Sequence, residues 1–391
     1  MALKICHMTS THYPKDQRIF YKECISLANA GYEVWLVEQG DSEEDTGVHI
    51  IGTGERNKGR YYRLLVRPAK VYKQAKELDA DIYQFHDMEL LPYGLKLKRA
   101  GKIVVFDYHE DFSSRFAYSD ALPGPMFLKR FLSRIYTSYE ARAIRSLDGM
   151  ISVTPHFCER LKRINPNTAM ITNYPLTDRG EWAKDPEYQE KSEYIAFAGQ
   201  ISETYRLGHI VESIQDVPGI RLKLCGPERR SGDLAKILNM DKHHLVDYLG
   251  ILHYNKVPEF LSNSRASLIL YEYNANAGGH LGTLGVNKLF ESMLCGVPVI
   301  CTDFLLWKEI IEQYRCGICV DSYNKKELKD AIIYCIEHPE EAKQMGRRGR
   351  KAVLEKYNWN IQAKNLVHFY QGLADKVLNT KRQNSPEKHK M

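Results

Sequence analysis

Short apolar runs rich in β-branched and aromatic residues alternate along the chain with longer stretches whose apolar positions recur every three to four residues. The first runs are "LKICHM", "YEVWLVE", "ADIYQFH", "GKIVVFDY" and "DGMISV". Between the first two lies "RIFYKECISLANAG", amphipathic at helical spacing and closed by a glycine where a helix ends. Serial strand and helix of this kind predicts a doubly wound parallel sheet. The pattern fails over 176–192, "LTDRGEWAKDPEYQEKS", which is polar and has no apolar period, and then restarts. "EYIAFAG", "IRLKLCG", "VDYLG", "ASLILYE", "VPVICTD" and "GICV" predict a second parallel sheet. The expected fold class is therefore α/β: two Rossmann-like doubly wound domains facing a central cleft, with ligands outside the carboxyl ends of the strands. The expected limits are 1–178 for the first domain and 190–358 for the second. A helix over about 360–378 is expected to return to the first domain. The polar, basic "NTKRQNSPEKHKM", 379–391, is expected to be disordered.

Composition narrows the function without naming it. The 391 residues are 43% hydrophobic and 27% charged, a globular balance with ample material for two cores. A net charge of +6 is mild over this length and argues against nucleic acid as a partner. No run of about 18 apolar residues occurs, and the start "MALKICHMTS" lacks a signal-peptide core. The expected location is cytoplasmic, with the inner face of the plasma membrane as an option. Nine cysteines are scattered, several in strand-like runs, which suits buried, reduced thiols. "CGIC", Cys316–Cys319, lacks a second ligand pair and is expected to be a turn entering a strand.

The densest chemistry lies in "GVNKLFESMLCGVPVICTD", 285–303. Asn287 suits a helix cap, leaving the amides of Lys288, Leu289 and Phe290 as donors at the positive end of the dipole, where a phosphate fits. The preceding "AGGHLGTLG" is glycine-rich, so its backbone can approach a diphosphate; Gly282, Thr283, Leu284 and Gly285 lie in it. Glu291, one turn into the helix, can accept hydrogen bonds from neighbouring hydroxyls such as those of a ribose. Lys288 stands three positions before it; the alternative is an ordinary surface pair on a capped helix. Elsewhere, "GPMFLKRFLSRIYTSYEARAIRSL" sets Phe127, Phe131 and Ile135 at helical spacing among Lys129, Arg130 and Arg134. Such a helix over 125–146 either lies on anionic lipid as a peripheral membrane contact or buries its stripe in the core.

"TSTHYPKDQRIFYKECISLANAGYEVWLV", "DYHED", "AFAGQISETYRLG" and "NKLFESMLCGVPVI" followed by "CGICV" together resemble the retaining glycosyltransferases of family 4, with the two-domain GT-B fold. The resemblance runs from about residue 3 to 370. It implies a nucleotide diphosphate sugar held by the second domain, UDP-linked before GDP-linked, and a glycan or lipid-linked acceptor on the first, in polysaccharide biosynthesis. The family signature has two glutamates separated by seven residues; Glu291 matches the second, whereas Thr283 replaces the first. Arg206 matches the basic residue that clamps the donor's phosphates, and Gln200 stands where a second often follows the strand's glycine, Gly199. Lys288 is the candidate replacement. His109 matches the histidine that approaches the donor sugar. Tyr248–Gly250 stands where the base-binding loop begins, with Gly250 among the donor-binding candidates. Asp16 and Arg18 occupy the place of a glycine-rich loop near the reacting centre; Arg18 either meets a phosphate or pairs with Glu23. His86 and Asp87 are further acceptor-side candidates. The assigned catalytic group is His109, Arg206 and Lys288.

No Asp-x-Asp or carboxylate cluster is placed for a divalent ion, so no metal and no cofactor are expected, and the protein's own cations and helix amides are expected to offset the leaving-group charge. Two other classes compete. A nucleotide-sugar 2-epimerase on the same architecture needs acid and base carboxylates beside the sugar ring and no acceptor. A non-catalytic nucleotide-sugar-binding subunit would bind donor without turnover.

Overall fold

In the computed structural model, residues 2–54, 59–108, 126–186, 192–241, 244–274 and 277–383 are described. The chain forms two compact units, Met1–Thr172 with Gln362–Met391, and Asn173–Ile361. The division falls ahead of the expected limit at 178 because the next residues pack into the second unit's core. Tyr174 meets Phe290 edge-on at 4.6 Å between ring centroids, and Trp182 lies 4.9 Å from Tyr254.

The first unit is built on β1 (Lys4–Met8), β2 (Glu33–Glu38), β3 (Glu43–Asp45), β4 (Val48–Gly52), β5 (Ile82–Phe85), β6 (Ile103–Tyr108), β7 (Gly149–Ser152) and β8 (Thr168–Met170). Their order is β3-β4-β2-β1-β5-β6-β7-β8, and only β3 runs antiparallel to its neighbour. β1, β2, β5, β6 and β7 are the apolar runs of the sequence. β3, "EED", carries no apolar signal and exists because Thr46 (φ 52°) and Gly47 (φ 75°) make a two-residue hairpin turn of the twist-compatible kind. One face, with Cys6, Met8, Tyr83, Phe85 and Phe106, packs on the helices Arg67–Glu77, Leu91–Arg99 and Met126–Ser146 through Val71, Leu91, Leu97 and Ile144.

The opposite face is polar where β1, β5 and β6 end, and it corrects two expectations. Arg18 is buried, with Nε and Nη2 donating to the two Asp107 oxygens at 2.8 and 2.9 Å and Nη1 to Ile171 O at 3.1 Å. Its Nη2 also lies 3.0 Å from Glu23 Oε1. Of the two roles open to Arg18, pairing with Glu23 is the one realised, and its guanidinium is enclosed rather than offered to a phosphate. His86 is equally enclosed: its Nδ1 meets Asp107 Oδ2 at 3.0 Å, its Nε2 meets His7 Nδ1 at 3.1 Å, and its side chain is wholly buried, so it cannot touch an acceptor. Gln84 donates to Glu23 at 2.5 Å and accepts from Tyr370 on the last helix, also at 2.5 Å. His7, Glu23 and His86 bring metal-ligand atoms within 4.8 Å of one another, but these atoms engage each other and Gln84 in hydrogen bonds. Asp16 is the cap of this region, its carboxylate accepting from the amides of Arg18 and Ile19. The helix it caps is wound as a π-helix over Gln17–Cys24 before continuing as Ile25–Asn29.

The second unit holds β9 (Tyr194–Ala198), β10 (Arg221–Cys225), β11 (Val246–Tyr248), β12 (Ser267–Ile269), β13 (Val299–Thr302) and β14 (Gly317–Val320) in the order β11-β10-β9-β12-β13-β14, all parallel. Each matches one of the six apolar runs. The order reverses between β9 and β12, so the crevice at their carboxyl ends is the place where such sheets bind ligands. Of "CGIC", Cys316 precedes β14 and Cys319 already lies within it, and neither cysteine forms a disulfide. The last helix, Trp359–Gln383, belongs to the first unit from Gln362 onward and buries Leu366, Tyr370 and Leu373. It reaches Gln383, so 379–383 are helical where disorder was expected; 384–391 lie outside the described residues.

Candidate functional site

At the β9/β12 switch point of the second unit, the helix Asn287–Leu294 points its first turn at the ends of the strands. Asn287 does not cap this helix, contrary to the sequence reading. Val286 takes the cap position (φ −88°, ψ 112°), no side chain caps the helix, and Asn287 is its first helical residue. The cause is the turn before it, where Thr283 Oγ1 accepts from Gly285 N at 3.1 Å and Thr283 O accepts from Trp307 Nε1 at 2.7 Å. Gly282 has φ 80°, and a Cβ there would come within 2.5 Å of Phe304 Cβ, so only glycine lets the loop cross this ring. Leu284 packs on the same core. Thr283 therefore acts as a turn residue.

Lys288 is not part of a surface pair. Its ammonium sits in a box of aromatic rings, 3.4 Å from the Tyr205 centroid, 4.8 Å from Phe197 and 5.7 Å from Tyr271. The Nζ is buried with no hydrogen-bond partner. Burial pulls its pKa down to about 7, although Glu291 favours the charged form. Gly199, after β9, is required by this packing, since a Cβ there would lie 2.1 Å from Lys288 Cε. Glu291 accepts from Tyr254 OH at 2.9 Å and keeps part of its side chain exposed.

Arg206 is held in an unusual state for a non-glycine residue, with φ 52°. Its guanidinium lies 4.1 Å over the Tyr323 ring, Nη1 is 3.6 Å from Glu272 Oε1, and Nη2 is 3.0 Å from His209 Nδ1. Burial and the Arg206 charge lower the His209 pKa, so the imidazole meets the guanidinium as a neutral partner. Arg206 Nε and Asn287 Oδ1, like Lys288 Nζ, are buried without a hydrogen-bond partner. Buried polar atoms are normally satisfied. Unmet groups on both segments flanking Tyr205 and the helix start mark a place built for a polar ligand. Gly250, with φ 74°, accepts through its carbonyl from Gly226 N at 2.8 Å at the end of β10. Gln200 is exposed.

The family models match at this point. "Glycosyl transferases group 1" covers residues 178–352, and "Glycosyltransferase Family 4" covers residues 17–173. The chain belongs to the family 4, group 1 glycosyltransferases. The solved sucrose-phosphate synthase of Thermosynechococcus elongatus superposes with a TM-score of 0.75 at 15% identity, over 96% of this chain and 100% of that one. Anabaena Alr3699/HepE, solved in complex with UDP and glucose, gives a TM-score of 0.69 at 12% identity over 95% and 100%. These likenesses show the GT-B fold of two Rossmann-like domains. Among curated relatives, sucrose synthase 4 of Oryza sativa subsp. japonica is 26% identical over 36% of this chain and 18% of its own length. Alpha-maltose-1-phosphate synthase of Mycolicibacterium smegmatis is 22% identical over 46% of this chain and 48% of its own length. The match thus spans less than half of either relative.

In this family-4 chain the structure brings Gly199, Arg206, Asn287, Lys288 and Glu291 to the carboxyl edge of one sheet. His109 lies outside the described residues. The aromatic box was not read from the sequence. Its one local signal is Tyr205 beside Arg206; Phe197 and Tyr271 read as ordinary strand residues until the sheet aligns them.

Proposed function

We propose that this chain is a retaining, metal-independent glycosyltransferase that moves a sugar from a nucleotide diphosphate sugar, UDP-linked before GDP-linked, to a glycan or lipid-linked acceptor in polysaccharide biosynthesis. The observation that carries the reading is the unmet donor set at the switch point: Lys288 Nζ and Arg206 Nε, beside uncapped helix amides. A diphosphate satisfies these groups at once, and its charge grows as the glycosidic bond breaks, so contacts to it strengthen toward the transition state. Glu291, on the same helix, is the proposed partner of the ribose hydroxyls. With no nucleophile assigned beside the sugar, front-face attack follows, and the leaving diphosphate takes the acceptor's proton. Alr3699/HepE, bound to UDP and glucose, supports the donor class.

Thermal shift tests the donor site. A nucleotide at a hundred times its Kd adds about 2.7 kcal/mol to the native state. UDP or GDP is expected to raise the Tm, and Arg206→Ala to abolish the rise; if no nucleotide moves the Tm, the donor assignment is wrong.

The acceptor side of the proposal includes a membrane surface. The helix Met126–Ser146 buries only Glu140, Ala143 and Ile144, while Phe127, Phe131 and Ile135 are 74%, 60% and 53% exposed. The stripe is therefore not core, and cations flank it, which supports peripheral contact with anionic lipid. Among the described residues no helix is long and apolar enough to cross a membrane. Wild-type protein is expected to co-sediment with phosphatidylglycerol vesicles and not with phosphatidylcholine vesicles. The triple variant Phe127→Ser, Phe131→Ser, Ile135→Ser is expected to stay in the supernatant, and its pelleting like wild type would remove this element.

A further inference from the structure

β13 and β14 lie side by side at one edge of the second sheet, and their register sets Cys301 directly beside Cys319. Residues so paired send their side chains to the same face, and the two Sγ atoms are 3.8 Å apart. Neighbouring strands run about 4.7–4.9 Å apart, inside the roughly 4.4–6.8 Å between α-carbons that a disulfide spans. The pair is therefore already in bonding register, although both thiols are reduced. The nearby Cys316 is not. It stands three positions before Cys319 on a chain extended from Gly317, roughly 10 Å along it and beyond that span.

The two thiols differ in access. Cys301 is wholly buried. Its contact with the Cys319 sulfur, and then its burial, push its thiol well above the ordinary range, so it keeps its proton and is slow to react by itself. Cys319 is half-buried and lines a cavity of about 540 Å³, together with Ile311 of the helix Leu305–Tyr314 and Met345 of the helix Pro339–Glu355. Gly317, two positions earlier on the same face of β14, puts no side chain over it. A small uncharged oxidant thus reaches Cys319 first, and Cys301 stands directly behind it.

We propose that Cys319 and Cys301 form a modification site at which a peroxide closes a reversible disulfide, and that this bond disturbs the seat of Arg206. Cys319 Sγ takes one oxygen from hydrogen peroxide and becomes a sulfenic acid, with release of one water. Cys301 Sγ then attacks that sulfur. The S–S bond forms as the S–O bond breaks, and the departing hydroxide leaves with the Cys301 proton as a second water. Two electrons pass from the thiol pair to the peroxide, and thiol exchange with a dithiol reverses the bond. The consequence lies two residues further along each strand. Asp303 and Asp321 both accept from Tyr273 OH, at 2.5 and 3.1 Å, and Asp321 also accepts from Tyr323 N at 2.9 Å. Tyr323 stacks on Tyr273 at 5.6 Å between centroids and carries the Arg206 guanidinium on its ring at 4.1 Å. Closing the sulfurs from 3.8 Å to about 2 Å draws the strand ends together beneath this stack. The effect on Arg206 as a phosphate clamp rests on the glycosyltransferase reading above; the disulfide does not.

The test exposes the full chain to hydrogen peroxide, quenches with catalase, and counts and maps thiols by alkylation and mass spectrometry after denaturation. Of the nine thiols, seven are expected to remain, with the peptides of Cys301 and Cys319 joined, and dithiothreitol is expected to restore all nine. Cys301→Ala is expected to leave Cys319 as a sulfenic acid that dimedone captures. Cys319→Ser is expected to keep its eight thiols through the same exposure. A wild type that keeps nine thiols, or that loses other cysteines before this pair, overturns the proposal. For the link to Arg206, oxidised wild type is expected to show half or less of the UDP-induced Tm rise of the reduced protein, and peroxide-treated Cys319→Ser the full rise. Equal rises in oxidised and reduced wild type overturn that link. No rise in the reduced protein instead overturns the donor reading, and the thiol counts still decide the disulfide.

Discussion

Arg18→Ala is expected to cost the first unit about 3–5 kcal/mol, the loss typical of leaving a buried charge unpaired. Arg18 is the cation that faces two fully buried carboxylates, Asp107 at 2.8 Å and Glu23 at 3.0 Å. Burial already pushes the Glu23 pKa up, and Asp107 pushes it further, while Arg18 is the opposing charge. Without the guanidinium, both acids face a low-dielectric interior together with His7 and His86, whose pKa is also governed by burial in the case of His7. Arg18→Lys is expected to recover little, because one ammonium cannot reproduce the paired bonds to Asp107 and the bond to Ile171 O. Urea unfolding of wild type and both variants measures this. A loss below about 1 kcal/mol for Arg18→Ala would show that the network carries no net stability.

Lys288→Met is expected to have the opposite signature, a turnover lower by about 10²–10³-fold with stability unchanged or slightly raised. The Nζ has no hydrogen-bond partner, and its ring contacts offset only part of the cost of burying it, so an apolar side chain of similar length suits the aromatic box at least as well. The proposed diphosphate, however, loses a desolvated cation. Sign matters for the pH profile. The folded pKa of Lys288, about 7, lies below its ordinary 10.5, so the free protein loses this charge as pH rises through 7. Donor kcat/KM should then fall by up to about tenfold per pH unit above 7 in wild type, and the fall should be absent in Lys288→Met. A variant with wild-type turnover would exclude Lys288 from the leaving-group clamp.

These two residues also show what was legible beforehand. Arg18 and Lys288 are both basic residues with an acid a few positions on, Glu23 and Glu291, and the sequence offers each of them either a phosphate or that acid as its partner. One is a structural ion at the centre of the first unit, and the other is an unsatisfied charge at the edge of the second. The difference arises from residues far away in the chain, Asp107 and Ile171 for Arg18, and Phe197, Tyr205 and Tyr271 for Lys288. His86 was misjudged for the same reason. The end of a parallel strand faces ligands only if nothing covers it, and His7, Asp107 and the Tyr370 helix cover this one. Asn287 failed as a cap because the Thr283 turn and Trp307 decide where the helix begins.

What the amino-acid sequence determined by itself is the local physics: apolar runs that must become buried strands, amphipathic stretches that must cover them, and glycines where the backbone crosses a ring or an ammonium. From these follow the two parallel sheets, the polar seam near 176–192 and the glycine turn that feeds the helix at Asn287. What only the tertiary structure decided is which polar groups are satisfied. Satisfaction depends on partners brought together by strand order, and strand order joins β1 to β5 and β9 to β12 across long gaps in sequence. Hence the buried Arg18 and His86 and the enclosed but unmet Lys288 emerge only when the sheets are assembled.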